Sequence, residues 1–442
     1  MEQLLYLLDA FAQELSGQDG PSNFFITFFP YFLILELPLA LLTVLGVLRW
    51  YARKRSTIPM ASPYHPKVSC IVACYSEGLD VQKTILTLAE QIYPGHIEII
   101  PMIDGASVNH TTLQAVRDVR LDPAIYPRRY LRPIAKWQRG GRVSSLNAGL
   151  AYSTGEIVMA LDGDTSFDNN MVAAIVRHFA DPSVPAVAGS LRVRNIWSSV
   201  TTAVQALDYL LSIHMSKTGL AEWNLINNVS GAFGAFRRSF LEHIGGWNTH
   251  TAEDLDLTLR IKSYMRRHSL RIPFEPDAIG HTDAPVTFRQ FLMQRLRWDG
   301  DLFFLYVRKH NHSITPFLLG WPSFLMVLAS GLFVQIVLPF IILGYMILTV
   351  VLLPATSLLL VYSLIYMLYL VMTIIMFVVM ILTVAERPFK SLKLAIVLPV
   401  FPIFMIITRC WSAVAITNEV LRRGHEESSM APWWVLKKAT RF

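Results

Sequence analysis

Glu156-Ile157-Val158-Met159-Ala160-Leu161-Asp162-Gly163-Asp164 is the stretch that decides the fold. An apolar run closes on two carboxylates spaced two apart across a glycine. A short continuous apolar run bounded by a turn reads as a buried strand of a parallel sheet. Working outward, Val68 to Cys74 reads VSCIVAC and runs into Tyr75-Ser76-Glu77. Val81 to Gln91 has helical periodicity, and Ile97 to Ile103 is another apolar run, ending at Asp104-Gly105. Strand, helix and strand at this spacing predict an α/β domain with a parallel sheet. Ligands bind beyond the carboxyl ends of such strands. Glu77, Asp104, Asp162 and Asp164 all fall at those ends.

Apolar residues make up 53% of the 442, and charged residues only 16%. That balance is too apolar for an ordinary soluble enzyme and points to membrane segments. The first apolar run is Phe24 to Trp50, long enough for one span. Glu2, Asp9, Glu14 and Asp19 precede it, while Arg49, Arg53, Lys54 and Arg55 end it. The positive-inside rule puts the N-terminus outside and the following domain in the cytoplasm. Three more runs follow: Thr315–Val351, Ser357–Val384 and Leu392–Val420. The first exceeds one span, and Pro399 and Pro402 interrupt the last. Arg387, Lys390 and Lys393 favour a cytoplasmic loop, and Arg422, Arg423, Lys437, Lys438 and Arg441 a cytoplasmic C-terminus. Three helices and those two signs conflict, so a fourth, re-entrant piece is an open alternative.

The net charge of +7 has no basic stripe with interleaved aromatics, which argues against nucleic acid as a partner. Three cysteines, Cys70, Cys74 and Cys410, form no disulfide framework. Cys70 and Cys74 read as small core residues of a strand.

Two carboxylates on a turn after a strand, as in Asp162-Gly163-Asp164, suit a hard divalent cation bridging a diphosphate. Glu253-Asp254 follows Thr251-Ala252 and reads as a helix start, with Thr251 as its cap. The bland reading of those acids is complementarity to the helix dipole; the functional one makes one of them a general base. Gln294-Arg295-Leu296-Arg297-Trp298 lies on an expected amphipathic helix, Thr287 to Val307. Arg297 suits a departing diphosphate and Trp298 a sugar face, although a membrane-interface helix also favours both residue types.

Together these motifs are specific. Cys-Tyr-Ser-Glu at 74–77, Ile-Asp-Gly at 103–105, Gly-Arg-x-x-x-Leu-Asn at 141–147 and Asp-Gly-Asp at 162–164 come first. Ser-Gly-Ala-Phe-Gly-Ala-Phe-Arg-Arg at 230–238, Ala-Glu-Asp-Leu-Asp at 252–256 and Gln-x-x-Arg-Trp at 294–298 follow. In this order, from about Lys67 to Trp298, they resemble the processive membrane family 2 glycosyltransferases, the superfamily of cellulose, chitin and hyaluronan synthases. The stretches 189–195 and 229–239 look most like the bacterial poly-β-1,6-N-acetylglucosamine synthase branch.

The resemblance implies a GT-A-like, Rossmann-type nucleotide-sugar domain inserted between transmembrane helices. The expected layout is an extracytoplasmic segment 1–23, a span 24–50 and a cytosolic transferase domain 51–312 with interface helices near 195–222 and 287–307. Helices over 313–420, three or four in number, and a tail 421–442 complete it. The resemblance places Ala73, Tyr75, Glu77 and Asp104 around uridine and Arg142 near the diphosphate. Asp162 would contact the nucleotide, and Asp164, with Asp162, would hold Mg2+ or Mn2+. Ser230 and Gly231 would approach the acceptor sugar, and Asp254, beside Glu253, would be the base. Gln294, Arg297 and Trp298 would frame the acceptor end and the leaving group. The implied activity is inverting, processive polymerisation of a β-linked polysaccharide from a UDP-sugar, UDP-N-acetylglucosamine in that branch, at the inner face of the plasma membrane; the alternatives are a synthase of another β-glycan, UDP-glucose-using or hyaluronan/chitin-like, or a transferase that adds a single sugar to a lipid carrier. The implied partners are the UDP-sugar, the growing polysaccharide and membrane lipids, with room for a small membrane accessory subunit. Three departures stand out: Ser76 for the family's Asn, Ile103-Asp104-Gly105-Ala106 for Asp-Asp-Gly-Ser, and Arg142 for Lys. They fall among the donor-sugar and nucleotide contacts.

Overall fold

The structure is a computed structural model and describes residues 20–56 and 63–423. The acidic segment before Gly20 and the tail after Arg423, including Lys437, Lys438 and Arg441, lie outside the described residues. The apolar runs named above become the centre of one nine-stranded sheet. Its strands are β1 Val68–Cys74, β2 Ile97–Asp104, β3 Arg129–Leu131, β4 Ile134–Lys136, β5 Ile157–Asp162, β6 Ser166–Phe167, β7 Ala186–Val193, β8 Phe233–Arg237 and β9 Phe274–Thr282. The order is β3-β2-β1-β5-β8-β7-β9-β6, with β4 also on β2. β1, β2 and β5 run parallel and are buried almost throughout, which is why they read as unbroken apolar runs rather than alternations. β8 enters antiparallel between β5 and β7.

That register positions the site. Ala73 on β1 lies opposite Asp162 on β5, so the carboxyl ends of the parallel strands finish at one level. Cys70 and Cys74 are free and buried in β1, as small core residues should be.

Helices cover the sheet and continue beyond it. They are α1 Gly20–Ser56, α2 Asp80–Ala89, α3 His110–Asp118, α4 Gly141–Tyr152, α5 Val200–Asp208, α6 Ser216–Ala221, α7 Glu253–His268 and α8 Phe288–Phe303. Three long helices follow: α9 Trp321–Leu352, α10 Ala355–Thr383 and α11 Phe401–Arg422. By length and composition these three are able to cross a membrane, since about 20 apolar residues suffice. The long run starting at Thr315 contains a short helix, Pro316–Leu319, then Gly320 at φ +75°, then α9 as a single helix with one wider-wound stretch, Val327–Val337. The last run bends before Pro402, which sits in the first turn of α11, where a missing N–H costs nothing.

The flanking apolar helices are fastened to the domain by close packing. α1 crosses α6 at Gly46 and Gly219: a Cβ on Gly46 would stand 2.1 Å from the Gly219 carbonyl oxygen, and one on Gly219 2.2 Å from that of Thr43. Trp223 Nε1 donates to the Leu42 carbonyl at 3.0 Å beside this crossing. α8 lies along α11, with Trp411 Nε1 donating to Leu292 O at 2.7 Å and Ser412 Oγ donating to Asp299 at 2.6 Å. Gly46→Val should therefore lower the midpoint of thermal unfolding in detergent, by about 1–3 kcal/mol of overpacking. An unchanged midpoint would show that the two backbones part at no cost.

Candidate active site

The Asp-Gly-Asp turn is held from below. Gly163 N donates to Ala73 O at 3.1 Å, and Thr84 Oγ1 donates to Gly163 O at 2.8 Å. A Cβ at position 163 would lie 3.0 Å from Ala73 O and 3.1 Å from the carboxyl carbon of Glu77, so a side chain here would crowd both. Burial raises Glu77 to about 7, with Asp164 and Asp162 adding to the effect. Burial, then the charge of Asp162, also holds Asp164 above the usual carboxylate range. Glu77 Oε2 is buried and has no hydrogen-bond partner.

An orphaned carboxylate oxygen beside two further acids has the chemistry of a hard-cation donor set. Among the described residues no group of three or more His, Cys, Asp or Glu is placed to hold a metal ion on its own. Hard cations such as Mg2+ keep open positions for phosphate oxygens and need only one or two carboxylates. The residues present therefore fit a divalent ion shared with a diphosphate, on Asp164 with Asp162 and Glu77 beside it.

Asp104 plays a different part from its neighbours. Its Oδ1 accepts from Lys136 Nζ at 2.7 Å and Gly140 N at 2.9 Å, and its Oδ2 from Gly141 N at 2.9 Å. The carboxylate caps the N-terminus of α4, where a negative charge suits the helix dipole, and so fixes the helix that carries Arg142. Beside it the Arg139 guanidinium lies 4.1 Å from the Tyr75 ring centre. Ser76 has φ +72°, a conformation in which Asn is several-fold enriched, which gives the family's Asn a physical reason.

Arg142 joins three motifs. Its Nε donates to Glu253 Oε1 at 2.6 Å, its Nη2 to Gly231 O at 2.6 Å, and its Nη1 pairs with Asp162. Burial opposes its charge, but Asp162 and Glu253 outweigh that and hold the guanidinium above its ordinary value. Burial, opposed by Arg142 and reinforced by Asp254, raises Glu253.

Asp254 stands at the start of α7. The expected cap at Thr251 is not observed. Ala252 takes the cap position at φ +42°, ψ +46°, outside the extended conformation that a side-chain cap requires, and no side chain closes the helix. The acids of the first turn are Glu253, Asp254 and Asp256, as expected. Asp254 Oδ2 accepts from Asn228 Nδ2 at 2.9 Å and Gly231 N at 3.1 Å, and Oδ1 from Leu255 N at 2.8 Å. Asp256 faces away, gripped by Lys309, His310 and Arg260 at 2.8, 2.8 and 2.9 Å.

Gln294, Arg297 and Trp298 lie on α8, whose start is a capping box between Thr287 and Gln290. Gln294 Oε1 is buried without a partner. Asp301, one turn beyond Arg297, is raised to about 7 by burial.

One cavity of about 1110 Å3 is lined by all of these groups, from Ala73, Tyr75, Glu77, Asp104, Arg142, Asp162 and Asp164 through Ser230, Gly231, Glu253 and Asp254 to Gln294, Arg297 and Trp298. Ser330 and Gln335 of α9 and Thr408 and Arg409 of α11 line it too. Sequence reasoning missed those four, and also Lys217, Asn227 and Asn228. Asn228 had a signal, since it stands two residues before Ser230; the others had none short of the fold.

A mixed sheet ending in an Asp-x-Asp turn, a helix-start carboxylate across the cleft and a pocket between them define a GT-A-like transferase domain. Residues 65–300, just over half of the chain, match the family described as Glycosyltransferase like family 2, and the chain belongs to it. The chain is 29% identical over 233 residues to a poly-beta-1,6-N-acetyl-D-glucosamine synthase of Staphylococcus epidermidis, covering 52% of this chain and 53% of that protein. It is 27% identical over 232 residues to the synthase of the same name from Staphylococcus aureus strain COL, with the same coverage. The chain thus spans about half the length of the curated relatives it matches. The fold is shared with a mannosyltransferase, PcManGT, from Pyrobaculum calidifontis, solved in complex with GDP-Man and Mn2+. The TM-score is 0.54 at 18% identity, over 94% of this chain and 99% of that one.

Proposed function

We propose that this glycosyltransferase builds a β-linked polysaccharide by inverting, processive transfer from UDP-N-acetylglucosamine, and passes the product between its membrane helices. The observation that carries the reading is the single cavity, which reaches from the Asp-Gly-Asp turn past Asp254 to Ser330, Gln335 and Arg409 on the long apolar helices. A polysaccharide cannot cross hydrocarbon unaided, because its hydroxyls find no partners there. A polar-lined path beginning at the acceptor site removes that cost.

In this reading Ala73, Tyr75 and Glu77 bind the nucleoside end of the donor. Asp104 fixes α4, and Arg142 is brought to the diphosphate. A divalent cation on Asp164 and Asp162, when bound, supplies positive charge to the leaving diphosphate. Asp254 takes the proton of the acceptor hydroxyl as that oxygen bonds to the anomeric carbon and the bond from that carbon to the diphosphate oxygen breaks. Arg297 stabilises the departing charge, and Trp298 offers a face to the sugar at the acceptor end. One displacement inverts the anomeric centre, so an α-linked donor gives a β-linkage. The catalytic domain works at the cytoplasmic face of the plasma membrane, the side on which nucleotide sugars are made.

Sealed vesicles with the catalytic domain outward, supplied with radiolabelled UDP-N-acetylglucosamine, should accumulate long polymer in the lumen. Products of one added sugar would overturn processivity. Long polymer found only outside would overturn passage through the protein. UDP release that is selective for another UDP-sugar would replace the donor.

A further inference from the structure

Lys217 is a buried cation in the wall of the cavity, and the transfer chemistry above gives it no task. It lies on α6, the segment pinned to α1 through the Gly46–Gly219 crossing. The residue is only 8% exposed. Its Nζ donates to the main-chain oxygen of Asn228 at 3.0 Å. The side-chain amide of the same Asn228 donates to Asp254 Oδ2 at 2.9 Å. A lysine on one segment and the carboxylate on another are thus joined through a single residue.

The rest of the loop is stitched to α7 in the same way. Val229 N donates to Thr258 Oγ1 at 2.9 Å, Thr258 Oγ1 donates to Asp254 O at 2.7 Å, and Gly231 N completes the pair of donors on Oδ2. Two of the three donors to the carboxylate come from the loop and converge on Oδ2. Oδ1 takes only the N–H of the next residue. Oδ1 is therefore the oxygen with a lone pair left to receive a proton.

We propose that Lys217 and Asn228 are positioning residues for Asp254: Asn228 turns the carboxylate so that Oδ1 faces the acceptor hydroxyl, and the Lys217 ammonium holds the loop and favours the ionised carboxylate. This rests on the reading of Asp254 as the base. Burial lowers Lys217 to about 8, and the charge of Asp254 works against that fall. At pH 7 the ammonium is accordingly present. The other titratable groups facing Asp254 are Glu253 on its own helix, which is paired with Arg142, and Tyr306 from 304–309, whose hydroxyl burial and the Asp254 charge keep protonated. His250 and Arg297 share the cavity wall. Lys217 and Arg142 are the cations hydrogen-bonded to the Asp254 loop, and the charge of Arg142 is already matched by Asp162 and Glu253. The Lys217 and Asp254 charges attract each other, and a neutral residue at 217 removes that attraction.

The test compares kcat against pH for the full-length membrane protein with Lys217→Gln, Lys217→Arg and Asn228→Ala. Glutamine keeps a donor for Asn228 O but no charge; arginine keeps the charge. Lys217→Gln should move the acid limb of the kcat profile up by about one pH unit, cutting kcat about tenfold only on that limb, with KM for the donor unchanged. Lys217→Arg should keep the wild-type limb. Asn228→Ala should lower kcat at every pH by about tenfold, with the donor KM within twofold. An unmoved limb in Lys217→Gln, or the same displacement in Lys217→Arg, overturns the proposal. If Lys217→Gln fails to bind nucleotide, the Lys217→Arg and Asn228→Ala pair decides: a shifted limb in the first or a wild-type kcat in the second is enough to overturn it. Turnover by Asp254→Asn at the wild-type rate would instead sink the assignment of the base. An inactive Asp254→Asn together with a wild-type profile in Lys217→Gln would sink only the role of Lys217.

Discussion

Asp254→Asn is expected to abolish polymer formation while leaving donor binding nearly intact. The carboxylate receives three donors, from Asn228, Gly231 and Leu255, and contributes no donor itself. An asparagine keeps one oxygen for the Asn228 and Gly231 donors but must turn its NH2 toward the N–H of Leu255, or the reverse. Either way a donor meets a donor, at a cost of about 1–3 kcal/mol to the local fold. The chemical loss is larger. A general base contributes about 10²–10⁴-fold, and the amide cannot take a proton at any working pH. The expectation is a fall in kcat on the order of 10³-fold, with the dissociation constant for UDP-N-acetylglucosamine within about threefold, since none of the protein contacts of Asp254 reaches the Asp-Gly-Asp turn. Single-turnover UDP release and equilibrium binding on the same preparation check both halves. Turnover above a tenth of wild type would transfer the role to another group. Glu253 is the weaker substitute, because its carboxylate is already spent on Arg142.

The strands and the site were legible to different depths. β1, β2 and β5 could be read because each is buried on both faces and β2 and β5 end on an acid, with Glu77 three residues past β1, so composition and function coincide in a few residues. Insertion of the antiparallel β8 between β5 and β7 was not legible, since its pairing is set by packing far along the chain. The acids at the strand ends were found together, yet their tasks were not equal: Asp104 is filled by Lys136 and two backbone N–H groups, and nothing in Ile-Asp-Gly announces that. Thr251 failed as a cap because the left-handed backbone at Ala252 is imposed by the turn into α7, and a Thr-Ala-Glu-Asp string carries no mark of it. Lys217 and Arg409 were invisible for a simpler reason. A cation in an apolar-looking helix reads as a snorkelling or interface residue until the fold shows which cavity it lines.

Arg142 should prove as sensitive as the base, for a reason that lies in its shape. One planar guanidinium serves Glu253, Gly231 O and Asp162 from three directions, with its side chain only 11% exposed. Removing one partner of a buried ion pair costs about 3–5 kcal/mol, because the remaining charge is left uncompensated. Arg142→Met leaves two such carboxylates, so the protein should unfold at a markedly lower temperature and lose activity. That outcome alone would not separate a stabilising residue from a functional one. Arg142→Lys does, because it restores the charge found at this place in the resembled family while giving up the fork. A point ammonium on a flexible stem cannot reproduce planar donors aimed at fixed angles. It can neutralise Asp162 or Glu253, but it cannot also hold Gly231 O, and Gly231 N is one of the two donors that orient Asp254. Stability should therefore recover most of the way in Arg142→Lys, whereas kcat stays down by about tenfold or more, the size of one lost charge-assisted hydrogen bond at about 1.5–3 kcal/mol. Adding Glu253→Gln to Arg142→Lys should relieve the competition for the single ammonium and raise stability further without restoring kcat. Thermal midpoints in detergent, read beside initial rates of UDP release, distinguish these outcomes. Wild-type kcat in Arg142→Lys would mean that charge alone matters here, and that the arginine in this chain is a neutral replacement for the lysine of the resembled family.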